Sequence, residues 1–281
     1  MKKVIYLFAL ATIVFTAGFF LVARGDVSPS DQSIKNLPVC ATDKGAASEA
    51  SGSAFVWRKE SNSAFLSKEK LNFDVAWLFV VVGYASLEVR GIEGIDGRPC
   101  YHIYSEAHSA AFFDAFYKVR NTNESWMDTE ALCSLKYLGV SDEKDTKKTE
   151  TLIIDQVNHK FKIVEKDKSG PTCPWVQDVL SSLYYIRTKN LAEGQEFVLD
   201  TQSGDSSWPL KVKVVREETV EVPAGRFKCF VLEPAVREGA GIFQAKGKLT
   251  VWVTADSKKT PVLMRSQIAV GSIEARLRSM E

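Results

Sequence analysis

From Leu71 to the end of the chain, apolar and polar residues alternate with a period of two in short segments. Such alternation is typical of β-strands that have one buried face. Residues that favour tight turns separate the segments, at Asp96-Gly97, Pro223-Ala224-Gly225, Ala255-Asp256-Ser257 and Gly271-Ser272. Because turns rather than helices join most of the segments, we predict a mainly β fold. Its core is one large, strongly curved antiparallel sheet, a half-barrel or barrel-like structure.

One segment has the period of an α-helix instead. Between Trp175 and Arg187, apolar side chains recur at helical spacing, and Pro171 and Pro174 precede the segment. Several strands carry apolar residues on both faces, so something must cover the second face. We therefore predict that this helix packs on the inner face of the sheet. A shorter helical piece is predicted from Ser109 to Phe116.

The N-terminal segment predicts export from the cytoplasm. Lys2 and Lys3 precede an uncharged run from Val4 to Ala23. Its length leaves two alternatives open, a signal peptide cleaved before Asp26 or an uncleaved membrane anchor. We predict three parts: residues 1–25 as a helical signal or anchor, residues 26–63 as a flexible tether, and residues 64–281 as a single β domain.

Composition and charge exclude some classes of partner. The chain is 45% hydrophobic and 25% charged, which is enough for a full core. Removal of residues 1–25 takes away three basic residues and no acid, so the formal net charge changes from +1 to −2. A nearly balanced charge argues against nucleic acid and gives no polybasic patch for anionic lipids. We therefore expect membrane contact only through residues 4–23, if they are retained.

The five cysteines all follow residue 25: Cys40, Cys100, Cys133, Cys173 and Cys229. In an oxidising compartment some of them should form disulfides. The odd number leaves at least one thiol free or in an intermolecular bond. The spacing does not decide which residues pair.

Seven blocks of the sequence carry a family resemblance: Leu71–Trp77, Val82–Val89, Gly97–Ile103, Phe112–Arg120, Gln177–Arg187, Val222–Phe227 and Thr260–Ser266. They resemble the exported bacterial proteins of the domain-of-unknown-function family DUF3108. The resemblance implies a periplasmic envelope protein with a curved antiparallel sheet similar to the half-barrels of lipid and lipoprotein carriers. It implies no catalytic residues. The chain departs from the family pattern at Val80-Val81, in its added cysteines and in its longer tether.

The sequence carries no recognisable catalytic motif. A hydrolase needs a nucleophile with a base in reach, and only His102, His108 and His159 are present. Cys100, His102, Glu106 and His108 share one face of a predicted strand. About 26 Å separates the first of these four from the last, so only Cys100 and His102 could reach a common ion. We expect a solvated polar face there, and predict no catalytic residue, metal site or cofactor.

A group of aromatic residues is the best candidate for a binding site. These rings could line a cavity for an acyl chain or another apolar ligand between helix and sheet, or they could only fill the core. The predicted ligand-binding residues are Trp77, Phe112, Phe113, Phe116, Trp175, Tyr184 and Tyr185.

Three functions remain open. The leading hypothesis is a non-catalytic periplasmic protein that binds an apolar or lipid-like envelope ligand. The second is a structural or assembly factor that binds envelope protein partners through a sheet edge or the charged loop Ser141–Lys148. The third is an envelope hydrolase, which requires a histidine beside a Ser or Cys and a carboxylate.

Overall fold

A computed structural model describes residue 40 and residues 55–235, 249–268 and 271–281. Most of these residues belong to β-strands, each joined to its neighbours by antiparallel hydrogen bonds. The strands are β1 (Glu69–Trp77), β2 (Val80–Ile95), β3 (Arg98–Ser109), β4 (Val119–Asp128), β5 (Ser134–Glu143), β6 (Thr146–Asp155), β7 (Lys160–Ile163), β8 (Lys168–Pro171), β9 (Glu196–Ser203), β10 (Ser206–Val222), β11 (Gly225–Ala235), β12 (Leu249–Thr254), β13 (Pro261–Gln267) and β14 (Ser272–Met280). The helices are α1 (Ala111–Asp114) and α2 (Val179–Arg187), with a 3₁₀ turn at Val164–Lys166.

All fourteen strands form one sheet, in the order β8-β7-β6-β5-β4-β3-β2-β1-β14-β13-β12-β11-β10-β9. Neighbouring strands of the sheet are also consecutive in the chain, except where β1 pairs with β14 in the middle of the sheet. The predicted mainly β fold with one large antiparallel sheet is therefore confirmed. The hydrogen-bonded ladder is not closed, and its edges are β8 and β9.

Side chains join the two edges where the ladder stops. Thr172 Oγ1 donates to Gln202 Oε1 at 2.8 Å, and Lys168 forms an ion pair with Asp205. Gln177 also pairs with Thr201 in a short parallel bridge. The sheet thus curls far enough for its edges to meet without a continuous ladder between them, which is a barrel-like arrangement.

The predicted reversals are confirmed at the four turn sequences. Asp96 and Gly97 both have positive φ, 47° and 77°, as a two-residue hairpin between β2 and β3 requires. The turns before Gly225 and Ser272 and the loop that contains Asp256 join the other predicted strand pairs.

The main core lies on the inner face of the sheet. On β1, Leu71, Phe73 and Val75 alternate with half-buried polar residues, and they pack with inward residues of the strands from β9 to β14. The helix α2 adds Leu180 and Tyr184 to the same cluster. Packing of α2 against the sheet, as predicted, buries the apolar stripe of the helix.

The helix α2 begins at Val179, so the predicted start at Trp175 is wrong. Trp175 has a φ of 58°, and the following Gln177 bonds to β9, so these residues cannot continue a helix. Asp178 is the N-cap and accepts hydrogen bonds from the N–H groups of Leu180 and Ser181. At the other end, the buried Arg187 makes two hydrogen bonds to Glu69, at 2.7 and 2.8 Å, which join the helix to the start of β1.

The helix α1 is shorter than the predicted piece from Ser109 to Phe116. Ser109 is the last residue of β3, and Ala110 is extended, so only Ala111–Asp114 are helical. Four residues give barely one turn, and no residue of α1 is buried. The helix α1 is therefore a single exposed turn between β3 and β4 and not part of the core.

Residues 55–63, predicted as the end of the tether, lie against the domain. The Arg58 guanidinium donates to the carbonyls of Ala131 and Leu132, and the Glu60 amide donates to Glu130. Cys40 is joined to Cys173 by a disulfide. Residues 1–25 and the rest of the tether lie outside the described residues, so the signal, the anchor and the domain boundaries stay predictions. Across the described ranges, every helix is too short or too polar to cross a membrane.

Candidate functional site

The two ends of the curved sheet differ. We call the end where β1 and β3 begin the helix end, because α2 and residues 55–66 cover it. The opposite end carries an apolar rim on two neighbouring connections, where the Ala110 amide donates to the Val82 carbonyl at 2.9 Å. The apolar rim is defined by six exposed side chains: Leu78, Phe79, Val80, Val81, Phe112 and Phe116.

The structure divides the seven predicted ligand-binding residues between these ends. Trp175, Tyr184 and Tyr185 lie at the helix end, and Trp77, Phe112, Phe113 and Phe116 lie at or beside the rim. The strand β3 runs from one end to the other, and its twelve residues span about 36 Å when extended at about 3.3 Å per residue. The seven residues therefore do not surround one ligand.

At the helix end the aromatic residues are packed or bonded to the protein. Tyr184 is fully buried, and its ring meets that of Phe65 edge to face at 4.9 Å. Burial raises the pKa of the Tyr184 hydroxyl. Tyr185 donates to Glu60, and Trp175 stacks against Phe55. Tyr184, Leu180 and Phe65 belong to the buried core under α2, so core side chains occupy the predicted location between helix and sheet.

At the rim the large side chains face outward. Phe79 is 93% exposed, Phe112 73% and Phe116 52%. Full burial of one such side chain would stabilise the fold by about 1.5–3 kcal/mol. The exposed rim therefore lacks this stabilisation at several positions. A contiguous group of exposed apolar residues of this kind marks a contact surface.

Ion pairs and hydrogen bonds fix the connection that carries Phe112 and Phe116. Arg120 binds both carboxylate oxygens of Asp114, at 2.6 and 3.1 Å, and thereby holds the pKa of Asp114 below its usual value. The Ser109 hydroxyl donates to Asp114 and accepts from the Val119 amide. These bonds hold the loop that exposes the two phenylalanines in a defined conformation.

The turn that carries Phe79 is held by a neighbouring turn. Leu78 has a φ of 55°, which is uncommon for a branched side chain, and its amide donates to the Ser272 carbonyl. Gly271 has a φ of 78°, and a Cβ there would lie 2.6 Å from Cδ2 of Leu78. Because glycine has no Cβ, it adopts this positive φ without strain and also avoids the contact with Leu78.

Small residues line the inner face of the sheet towards the rim. By strand register, Ala85, Ser105, Ala107, Ser109 and Gly139 all point inward, and each is buried. The larger Val89, Ile103 and Tyr137 take the equivalent positions of β2, β3 and β5 nearer the helix end. On β1 the large Phe73 lies beside Ala85, so the change from large to small side chains is confined to β2, β3 and β5.

The same part of the inner face is polar on one wall. Asn123 donates to Ser105 at 3.1 Å and accepts from the Tyr137 hydroxyl at 2.7 Å. Nearer the rim, Glu143 accepts from Asn121 at 2.7 Å and from Tyr117 at 3.1 Å. Burial and the Glu143 charge raise the pKa of Tyr117 to about 12, so its hydroxyl stays a donor. The opposite wall, on β1, β13 and β14, is apolar, with Val75, Met264 and Ala275.

Asp178 lies deep in the interior and is fully engaged. Its carboxylate accepts from the hydroxyls of Ser125 and Ser134, at 2.5 and 2.6 Å, and from two helix amides. Burial raises its pKa in spite of these bonds. Because every bond serves to hold the start of α2, Asp178 is a structural cap and not an acid available to a substrate.

None of the histidines forms a nucleophile pair. His102 lies between Glu93 and Glu124, with ring nitrogens at 2.9 and 2.6 Å from their carboxylates, and stacks on Trp126. In the described parts of the chain, no histidine ring nitrogen bonds to a serine hydroxyl or a cysteine thiol. The hydrolase hypothesis therefore lacks the contact that it requires. The described residues also hold no group of three or more side chains suited to a metal ion.

The outer face near Cys100 is not the solvated polar face that we expected. Cys100 and His102 are buried, and Cys100 packs with Trp126 and Cys133 in a small outer cluster. Residues 55–57 and Trp175 cover this cluster, which the sequence pattern of β3 alone could not reveal. Burial raises the pKa of both thiols to about 12, so they are unreactive near neutral pH.

Comparison with known proteins agrees with this architecture. The profile of DUF3108, described as a protein of unknown function, matches residues 72–278. The chain belongs to the DUF3108 family. This confirms the resemblance found in the sequence, and no curated protein matches this DUF3108 chain.

One solved structure supports the fold of this DUF3108 protein. It is a β-barrel-like protein of the DUF1849 family from Brucella abortus, with 9% identity and a TM-score of 0.53 over 78% of this chain and 99% of that chain. At such low identity the likeness shows the fold alone. A predicted exported protein with a YmcC-like fold from Bacteroides fragilis (11% identity, 82% and 100% coverage) and a predicted lipoprotein from Parabacteroides distasonis (7% identity, 80% and 97% coverage) have TM-scores of only 0.27 and 0.29.

Sequence analysis missed four of the six residues of the apolar rim. Phe112 and Phe116 are among the predicted ligand-binding residues, whereas Leu78, Phe79, Val80 and Val81 are not. The signal was present, because the run from Leu78 to Val82 places consecutive apolar residues at a strand connection, where alternation should give polar ones.

Proposed function

We propose that this DUF3108 protein is a non-catalytic protein of the bacterial periplasm that binds an apolar or lipid-like envelope ligand. The Cys40–Cys173 disulfide supports export, because such bonds persist in oxidising compartments. The ligand site that we propose lies inside the curved sheet near the rim, and not under α2 where the sequence first suggested it.

The observation that carries the proposal is the row of small inward residues, Ala85, Ser105, Ala107, Ser109 and Gly139. We infer that a ligand lies along this row, because small side chains on a curved inner face take up less of the interior than large ones do. The polar wall at Asn123 and the apolar wall at Met264 suit a ligand with a polar head and an apolar chain.

A blocking substitution tests the site. Ala107 lies in the middle of the row, paired with Ala85 and Asn121, so Ala107→Phe would fill the interior there. The full chain, freed of lipid, is titrated with a fluorescent fatty acid, cis-parinaric acid. We expect saturable uptake by the unaltered protein and a loss of about tenfold or more in affinity with Ala107→Phe.

A matched control keeps the test specific. Thr219 is an exposed residue near the end of β10, so Thr219→Phe adds a ring of the same size away from the row. Circular dichroism shows whether each variant keeps its fold. Absence of uptake by the unaltered protein, or equal uptake by Ala107→Phe and the control, would count against the proposed site.

The alternative function is an assembly factor that binds protein partners. The sheet edges offer little for strand addition, because β8 has four residues and Gln177 already occupies part of β9. Crosslinking in intact cells separates the two functions. A defined protein partner without co-purifying lipid would favour the assembly factor.

A further inference from the structure

The apolar rim gathers exposed side chains from two connections at one end of the sheet. Phe79 lies at the tip of the β1–β2 turn, and Phe112 and Phe116 lie on and just after α1. The rings of Phe112 and Phe116 have centroids 5.7 Å apart, so they form one surface. Large apolar side chains at loop tips, held by the braced loops described above, suit shallow insertion into a bilayer.

Four exposed lysines lie on the side of the rim that carries Phe116. Lys118 follows Phe116 by two positions, and the Lys144 amide donates to the Lys118 carbonyl at 2.8 Å. Lys147 and Lys148 follow on β6. Of the nearby acids, Asp114 is paired with Arg120, whereas Asp142, Glu143 and Asp145 keep their charges, and Glu143 accepts from the neutral Asn121 and Tyr117. Four lysines against these three carboxylates leave a local excess of one positive charge.

Lys144, Lys147 and Lys148 lie in the charged loop named from the sequence, but the sequence could not show that Lys118 joins them. The chain as a whole has a formal net charge of only +1, and Lys118 lies 26 positions before Lys144. The fold brings them to the same end of the sheet. Lysines around an apolar tip are complementary to anionic headgroups above an acyl layer.

We propose that the apolar rim inserts into the surface of an anionic phospholipid bilayer, with Lys118, Lys144, Lys147 and Lys148 on the headgroups. This surface is distinct from residues 4–23, which were the only membrane contact expected from the sequence. Docking places the end of the sheet that is nearer the small inner residues at the acyl layer. The purpose of docking rests on the proposed ligand function, but the docking itself does not require a ligand.

A fluorescent label at the rim tests insertion in the full chain, whatever the fate of residues 1–25. Phe112→Cys is labelled with an environment-sensitive nitrobenzoxadiazole thiol probe, and Val56→Cys, whose native residue is 81% exposed at the helix end, is the matched control. Labelling is selective, because Cys100, Cys133 and Cys229 are buried and Cys40 is bonded to Cys173. Phe116→Cys serves if Phe112→Cys does not fold.

Vesicles of phosphatidylethanolamine and phosphatidylglycerol are then added. We expect a blue shift and an increase in emission of about twofold or more at position 112, and no change at position 56. In the Phe112→Cys background, Phe79→Ser should weaken vesicle binding by about tenfold or more, because it removes one inserted ring. Leu66→Ser, at an exposed apolar position of the helix end, should leave binding unchanged.

Charge is tested in the same labelled protein. Lys118→Gln with Lys144→Asn should reduce binding to phosphatidylglycerol vesicles by about thirtyfold, since each of the two lysines near the surface contributes about 1 kcal/mol. Lys59→Gln with Lys68→Gln, at exposed positions of the helix end, is the control. Phosphatidylcholine vesicles should bind the unaltered protein more weakly.

Several outcomes would overturn the inference. The first is probe emission at position 112 that does not change when vesicles are added, and the second is an equal change in emission at position 56. The third is a dimer in solution that Phe79→Ser abolishes, in a protein whose probe emission does not respond to vesicles. The parinaric acid titration is done without vesicles, so the two proposals can fail separately. A response at position 112 with no parinaric acid uptake would retain docking and remove the ligand site.

Discussion

The helix end and the rim use apolar residues in opposite ways. At the helix end, Tyr184 and Phe65 are buried beneath α2 and the segment before β1, and the ion pair of Arg187 with Glu69 holds the cover in place. At the rim, Phe79 and Phe112 remain exposed although their loops are equally well braced. The difference shows that the fold can close one end with side chains and keeps the other end available for contact.

The largest expected effect concerns the cover at the helix end. Arg187→Leu removes the cation and leaves the Glu69 carboxylate in a largely buried position, where the side chain of Arg187 is fully enclosed. Breaking one partner of such a pair costs about 3–5 kcal/mol of unfolding free energy. Urea denaturation at neutral pH measures the loss. A change below 1 kcal/mol would mean that the cover is not held by this pair.

The next effect is a pH dependence at the same end. Asp128 is buried, and although burial opposes it, hydrogen bonds from Arg98 and from two backbone amides lower its pKa below the usual 3.8. A lowered folded-state pKa gives stability that is present above the unfolded pKa and is lost as pH falls through the folded pKa. We expect Asp128→Asn to cost about 2 kcal/mol near neutral pH.

The variant should also lose less stability than the unaltered protein as pH falls below about 4. Unfolding free energies from pH 7 to pH 2 measure both effects. Asp114→Asn at the rim is the matched comparison, because Asp114 also pairs with an arginine and has a lowered pKa but is more exposed. Parallel pH curves for Asp128→Asn and the unaltered protein would contradict the assignment.

A smaller effect is expected where the rim is braced. Gly271→Ala introduces a Cβ at positive φ and within 2.6 Å of Leu78, so the β1–β2 turn must move. We expect a loss of about 1–2 kcal/mol in thermal or urea unfolding. Gly194→Ala is the control, since Gly194 also has positive φ but a Cβ there meets nothing within 4 Å. Equal losses of unfolding free energy in the two variants would show that the contact with Leu78 does not contribute to the effect of Gly271→Ala.

The smallest effect separates the two ends most clearly. Phe112→Ser replaces a ring that is largely exposed and should change the unfolding free energy by no more than about 0.5 kcal/mol. Phe65→Ser at the helix end should cost several times as much, because Phe65 is buried. If Phe112→Ser were as costly as Phe65→Ser, the rim would be part of the core.

The sheet and its turns could be predicted because their causes are local. Alternation with period two and the Asp96-Gly97 turn both act over a few residues. The start of α2 could not, because Trp175 is drawn away from helical geometry by the bridge of Gln177 to β9, which lies 24 positions later in the sequence. Tertiary pairing overrides helical periodicity there.

The candidate site was less predictable for the same reason. Aromatic composition identified Phe112 and Phe116 but could not show that Tyr184 would lie at the opposite end of β3. The row of small inward residues that includes Ala85 and Ala107 could be recognised only from the strand register, which shows that their side chains point to the inner face. The cysteine pairing likewise depended on distant contacts.

The pairing of β1 with β14 has a consequence for how the chain matures. These two are the first and last of the strands that the structure describes, so the central hydrogen bonds of the sheet link residues about two hundred positions apart, as for Leu71 and Met280. Such high contact order slows folding, and a nascent chain cannot complete the sheet until its final nine-residue strand has been made. A premature stop or a proteolytic cut before Ser272 would leave β1 and β13 with unpaired edges in the middle of the structure, where new strands from other molecules could add.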